Sequence, residues 1–396
     1  MRISTSQMFN QSINSVLDKQ TATSKILDQL SSGKKVNTAG DDPVASVGID
    51  NLNQQNALVD QFMKNIDYAK NRLGLSESKL GTAETLVAST REQVIRAING
   101  GLSESERQMI ADELKGTLEE LVAVGNTKDE SGNYIFAGFE TGKQPFAFDS
   151  AGNMIYSGDN GAREAVIASG VTIATNIPGD NAFMNAPSGL GDYSANYLAS
   201  QVGEFSVDSA KITNPGTYVE DTYTFTMVGA NLEVRDSSAT LVTTEVGFDP
   251  TNPISFNGME VKLDGMPAAG DSFSITPQSE VSIFDTINQA ISLLEDPNKV
   301  NTPQGVSELA QILNNIDSGV NQISIARSET GNSLKSIESY STHHVDEKLV
   351  NSSTLSMLED LDYASAITEF EKQQLALNAV SSVFSKVGSV SLFDYI

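Results

Sequence analysis

The chain has two histidines, His343 and His344, and they are adjacent. An imidazole pair offers metal binding or proton relay. Neighbours on a helix point about 100° apart, so one ion or one relay does not use both. The pair reads as two partly exposed helix residues. Asp41-Asp42 is the second chemical pair, with the residue types of an acid–base couple or a cation site. No third ligand accompanies it, and an N-cap role explains Asp42. "DKQT" and "DESGN" lack the alternating acidic spacing and terminal glutamate of a calcium loop. "GMPAAGDSF" lacks the lysine and hydroxyl residue of a phosphate loop and reads as a tight hairpin. No G-x-S-x-G is present. Cysteine is absent, which excludes thiolate nucleophiles, disulfides and thiolate zinc sites. Asn10-Gln11-Ser12 and Asn351-Ser352-Ser353 match glycosylation sequons, but both lie in helical patterns. The expectation is a protein without catalytic, cofactor-binding or metal-ligating residues, and not an enzyme.

The elements that carry these residues are mostly helical. With 396 residues the chain has room for two or three domains. A net charge of −26 argues against nucleic acid or an anionic membrane as partner. The N-terminus has no apolar core of a secretory signal, and no apolar run is long enough to span a bilayer.

Residues 7 to 30 carry a heptad stripe of Phe9, Ile13, Val16, Gln20, Thr23, Leu27 and Leu30. A break follows. Gly33 suits a positive-φ helix end, and Lys34 and Lys35 lie beside the carbonyl end of the first helix. Gly40 suits a turn, Asp42 an N-cap and Pro43 the first helical position. Leu52, Val59, Ile66, Leu73, Leu80, Val87 and Val94 then recur every seven residues. A helix from Pro43 to Asn99 spans about 85 Å at 1.5 Å per residue, a rod element. Ser103 to Glu106 forms a capping box that starts a third helix, expected to fold back on the second.

From about Asp129 to Pro277 the pattern changes to aromatic and β-branched runs between Gly, Asn and Asp, which reads as hairpins. Between Asn133 and Pro277 seventeen acidic residues stand against five basic ones, a solvated outer surface. Helix returns at Ser279 and, after Pro297, continues to Leu358. A last heptad runs through Ala366, Phe370, Gln373, Leu377, Val380, Phe384 and Val387. Both terminal stripes contain glutamine. With the tails antiparallel and aligned, Gln20 and Gln373 fall about one layer apart, where a polar layer fixes register.

The expected fold is α+β: an elongated antiparallel helical bundle or coiled-coil rod from both termini with an inserted, mainly-β outer domain. The expected divisions are terminal tails at 1–41 and 358–396, a helical rod with β-hairpins at 42–180 and 278–357, and a β-rich outer domain at 181–277. The tails are expected to order only against neighbours. Their assembly face is Phe9, Ile13, Val16, Gln20, Leu27, Leu30, Phe370, Gln373, Leu377, Val380, Phe384 and Val387. The hinge is Gly33, Gly40, Asp42 and Pro43.

"LSSGKKVNTAGDDPVAS" (Leu30 to Ser46) resembles the segment between the first two helices of the bacterial flagellin superfamily. "EDLDYASAITEFEKQQLALNAVSSVFSKVGSVSLFDYI" (Glu359 to Ile396) and "GNYIFAGFETGKQPF" (Gly132 to Phe146) resemble its hook-associated, hook–filament junction family. Flagellins usually end differently and carry alanine where Pro43 stands. The resemblance covers about the first 145 and the last 120 residues.

It implies export without a cleaved signal peptide, through the flagellar type III channel with a dedicated export chaperone. It further implies a ring of copies of this chain in the extracellular flagellum, on the first hook-associated protein and beneath flagellin. Flagellin itself, and a secreted helical adhesin or needle-tip protein, are the rival readings.

Overall fold

The computed structural model describes residues 5–99 and 101–389; the side chains of Thr5, Ser6, Met8, Phe9, Asn99 and residues 387–389 lie outside the described residues. Helix α1 (Thr5–Ser32) is followed by α2 (Pro43–Asn99) and α3 (Glu104–Gly125). Strands β1 (Phe146–Phe148), β2 (Met154–Tyr156), β3 (Glu164–Ala168) and β4 (Val171–Ala174) form two hairpins. After a short π-helical turn, Asp180–Met184, come β5 (Ala186–Pro187), β6 (Tyr193–Tyr197), β7 (Phe205–Ile212) and β8 (Tyr223–Val228). Next are β9 (Asn231–Arg235), β10 (Leu241–Glu245), β11 (Ile254–Phe256), β12 (Met259–Gly265), β13 (Ser272–Pro277) and β14 (Glu280–Val281). The chain closes with α4 (Ile283–Glu295), α5 (Pro303–Glu359) and α6 (Tyr363–Ser389).

Local chemistry sets the helix ends. Pro43 opens α2, and the Asp42 carboxylate accepts from the amides of Val44 and Ala45 at 3.1 and 3.0 Å. Ser103 and Glu106 close the capping box of α3. Helix α4 begins at Ile283 and not at Ser279, because Glu280–Val281 pair with Ala186–Pro187 and Ser282 takes the N-cap.

The chain divides into two compact units. One comprises residues 1–64 and 340–396, the other residues 65–339. The divisions fall inside α2 and α5, and not at the breaks between helices.

The larger unit holds two cores. The helical core takes Leu80, Val87 and Val94 of α2, Leu114 and Leu121 of α3, Ile287 and Ile291 of α4, and Ile316 and Ile323 of α5. Within it α3 packs chiefly on α4, where the sequence pattern led us to expect α2; α4 has the more strongly apolar face. The second core lies between a five-stranded antiparallel sheet, β10-β9-β8-β13-β6, and a three-stranded one, β11-β12-β7. Alternate residues point inward, as the strand period demands: Tyr223, Phe225 and Met227 from β8, Phe273 and Ile275 from β13. Phe225 and Phe273 stack with centroids 4.6 Å apart. The "GMPAAGDSF" loop is not a hairpin, since β12 pairs with β7 and β13 with β8 and β6. It carries the chain from one sheet to the other.

Candidate assembly site at the terminal helix pair

Helices α1 and α6 pack against each other. From α6, Ala366 is buried, and Phe370, Gln373, Leu377, Val380 and Phe384 are half-buried. From α1, Ile13, Val16, Lys19, Thr23, Ile26 and Leu30 are half-buried. Gln20 and Leu27 are exposed, so they lie outside the face that α1 turns toward α6. Lys19 and Ile26 take their places on that face. The side chains of Phe9 and Val387 lie outside the described residues.

The polar layer consists of Lys19 and Gln373. Lys19 Nζ donates to Gln373 Oε1 at 3.2 Å, and Gln373 Nε2 donates to Glu369 Oε1 at 2.6 Å. Lys19 was not part of the expected face; a lysine can lay its alkyl stem along an apolar face while its ammonium reaches a partner.

The break between α1 and α2 is ordered by Asp41, to which the sequence pattern assigned no structural role. One carboxylate oxygen pairs with Lys25 Nζ at 2.8 Å. The other accepts from the amides of Asn37 and Thr38 and from the Thr38 hydroxyl, at 2.9 to 3.1 Å. The Lys25 ammonium, then the Thr38 amide, hold the carboxyl well below the usual carboxylate range. Gly33 has φ +73°, a left-handed conformation that ends α1. Gly40 has no positive φ among the described residues. Lys34 and Lys35 reach the end of α5 rather than that of α1. Lys34 Nζ lies 2.9 Å from Glu359 Oε2, and Lys35 Nζ donates to the Met357 carbonyl at 2.7 Å. The last carbonyls of a helix lack intrahelical donors and attract cations.

In the same unit α2 and α5 meet through Phe62 stacked on His344 at 5.5 Å, Asn56 with Asn351 at 3.0 Å, and Lys348 with Asp60. His344 is buried and His343 exposed, where the sequence led us to expect two partly exposed rings. Among the described residues this unit buries only Ala45, Val59, His344, Asn351 and Ala366. It exposes thirteen large apolar side chains, among them Leu17, Leu27, Val44, Leu349, Met357 and Leu375.

Among the described residues no group of three His, Asp or Glu side chains could hold a metal ion, and no helix is long and apolar enough to cross a membrane.

Comparison with known proteins points the same way. Residues 3–141 match the family model of the bacterial flagellin N-terminal helical region. The chain is 24% identical to the flagellar hook-associated protein 3 of Salmonella typhimurium, over 100% of this chain and 99% of that protein. A crystal structure of flagellar hook-associated protein-3 from Legionella pneumophila matches with TM-score 0.70 and 30% identity, over 78% of this chain and 98% of that one. A structure of the flagellar junction protein FlgL from the same organism matches with TM-score 0.68 and 31% identity, over 79% and 100%.

Proposed function

Because this chain belongs to the flagellar hook-associated protein 3 family, we propose that it joins hook to filament and that its terminal helices fold as they assemble. It is a structural component of the flagellum, and its relatives are structural proteins. Copies of the chain form a ring seated on the first hook-associated protein, and flagellin adds beyond them. The chain reaches this place through the flagellar type III channel, delivered by an export chaperone and without a cleaved signal peptide. A cysteine-free sequence supports that route, since no crosslink impedes threading.

One observation carries the reading: among the described residues, the unit of 1–64 and 340–396 buries five residues and exposes thirteen large apolar ones. The α1/α6 pair alone leaves Leu17, Leu27, Ile367, Leu375 and Val383 about half exposed. Covering each stabilises the assembled state by about 1 kcal/mol, half of what full burial of such a side chain contributes. Ordering a backbone residue costs about 1–2 kcal/mol, so a lone pair of helices with this little burial is marginal. Neighbouring copies supply the missing surface. The tails, 1–41 and 358–396, therefore order last, around a rod of 42–180 and 278–357 that bears the outer domain at 181–277.

Deletion of the gene tests the position. The expected cells carry hooks without filaments and secrete unpolymerised flagellin. Normal filaments on the deleted strain would exclude the junction role. Long filaments grown from seeded, purified protein would point to a filament subunit instead.

A further inference from the structure

We infer that the two helix breaks, 33–42 and 360–362, form one clasp that makes α1 and α6 order together as a single step. The clasp is built from backbone. Lys34 and Asp360 form an antiparallel bridge. The Lys35 amide donates to the Glu359 carbonyl at 2.7 Å, and the Leu361 amide donates to the Gly33 carbonyl at 3.0 Å. These two bonds flank the bridge, so Lys34 and Asp360 face each other as a closely spaced, non-hydrogen-bonded pair.

Side chains close it from both sides. Lys34 pairs with Glu359, and Lys35 reaches the Met357 carbonyl in the last turn of α5. Tyr363, the first residue of α6, sits over Gly33, the residue that ends α1. A β-carbon at Gly33 would stand 3.0 Å from the Tyr363 hydroxyl oxygen, on a backbone with φ +73°. Each break then ends in an aspartate cap. Asp42 caps α2, and Asp362 accepts from the amides of Ala364 and Ser365 to cap α6.

The end of α1 and the start of α6 thus share donors, acceptors and a packing contact. Gly33 and Lys35 keep their partners only while 359–361 is in place, and Leu361 keeps its partner only while α1 ends at Gly33. Opening either break releases the other. The purpose of such coupling rests on the assembly reading above: a subunit offers both tail helices to its neighbours or neither. The clasp itself is a property of one chain.

Millisecond hydrogen exchange followed by mass spectrometry on the full-length monomer, where the marginal α1/α6 pair is partly formed, tests it. Lys35→Pro deletes one bridging donor and lies outside both helices. Proline asks the preceding residue to be extended, which a bridge residue is. The expected result is a several-fold rise in exchange in peptides of both α1 and α6, with 65–339 unchanged. A rise confined to one helix, or no rise, overturns the clasp.

The opposite perturbation is Lys34→Cys with Asp360→Cys, in a chain with no other cysteine. Facing positions of this kind lie within disulfide range, with α-carbons about 4.5 Å apart. The oxidised form should exchange more slowly than the reduced form in both helices. Failure to oxidise, or slowing in one helix alone, counts against the inference. Both measurements use monomer. Coupled exchange alongside normal filaments on the deleted strain would leave the clasp standing and remove the junction role, and uncoupled exchange alongside bare hooks would do the reverse.

Discussion

Asp41 shows how a residue with catalytic credentials can instead be an organiser. Its carboxylate joins Lys25 to the backbone of Asn37 and Thr38 and so holds the loop against α1. Its folded pKa lies below the unfolded value near 3.8. A group of this kind contributes stability above the unfolded pKa and loses it as pH falls through the folded value. The Asp41 carboxyl signal in a carbon NMR titration should therefore stay ionised from pH 7 down past 3.8. Lys25→Met, which removes the first cause of the shift, should move the midpoint up toward the ordinary carboxylate range. At the tail pair, Gln373→Leu should strengthen α1/α6 association by about 1 kcal/mol, the gain of a half-buried apolar side chain. The same change removes the Lys19 and Glu369 bonds that fix register. Spin labels at the exposed Asp18 and Gln374 should report a broader distance distribution in the variant; an unchanged distribution would remove the register role.

At the scale of elements, most of the fold follows from how each helix or strand covers its apolar face. Helix α4 is strongly apolar and draws α3, the β1–β2 hairpin and α5 into one core. The sandwich docks on α5 through the segment after β5. The Gly189 amide donates to Asn315 Oδ1 at 2.9 Å, and Gln304 Nε2 donates to the Tyr197 carbonyl at 2.9 Å. Gly189 has no room for a side chain, because a β-carbon would stand 2.5 Å from the carbonyl carbon of Asn314. Backbone cannot give way as a flexible side chain can. Gly189→Ala should cost about 1–3 kcal/mol, as overpacking does. A lower urea midpoint at unchanged slope is the expected observation, and a midpoint equal to the parent's would show that the segment yields.

For the whole molecule, the two units differ in how far each satisfies itself. Residues 65–339 contain two closed cores, while among the described residues of 1–64 and 340–396 Val59 is the one large apolar side chain fully buried and thirteen are exposed. Assembly should therefore be sensitive to exposed residues whose loss leaves the monomer intact. Leu375→Asp with Val383→Asp, both on the uncovered side of α6, should leave the circular dichroism and urea transition of 65–339 unchanged and abolish complementation of the deletion strain. Wild-type swimming from that variant would remove the assembly role of this face. Limited proteolysis of dilute monomer should trim about forty residues from each end first. Resistance of both ends would remove coupled folding from the mechanism.

Helix limits were legible in the sequence because their causes lie within a few residues. Asp42-Pro43, the Ser103–Glu106 box and Gly33 each set an end locally, and all three stand where the pattern placed them. The seven-residue run of Leu73, Leu80, Val87 and Val94 is buried for a related reason, since its period alone defines one face. The α+β layout followed from the same periodicities. Pairings across the chain were decided only by the tertiary structure. Lys34 finds Glu359 across 325 positions, and Lys19 finds Gln373 across 354. His344 is buried on Phe62, and Gly265 to Gly270 crosses between sheets instead of turning within one. A local pattern states what a residue can do, but its partner is chosen by the burial and hydrogen bonding of the whole chain.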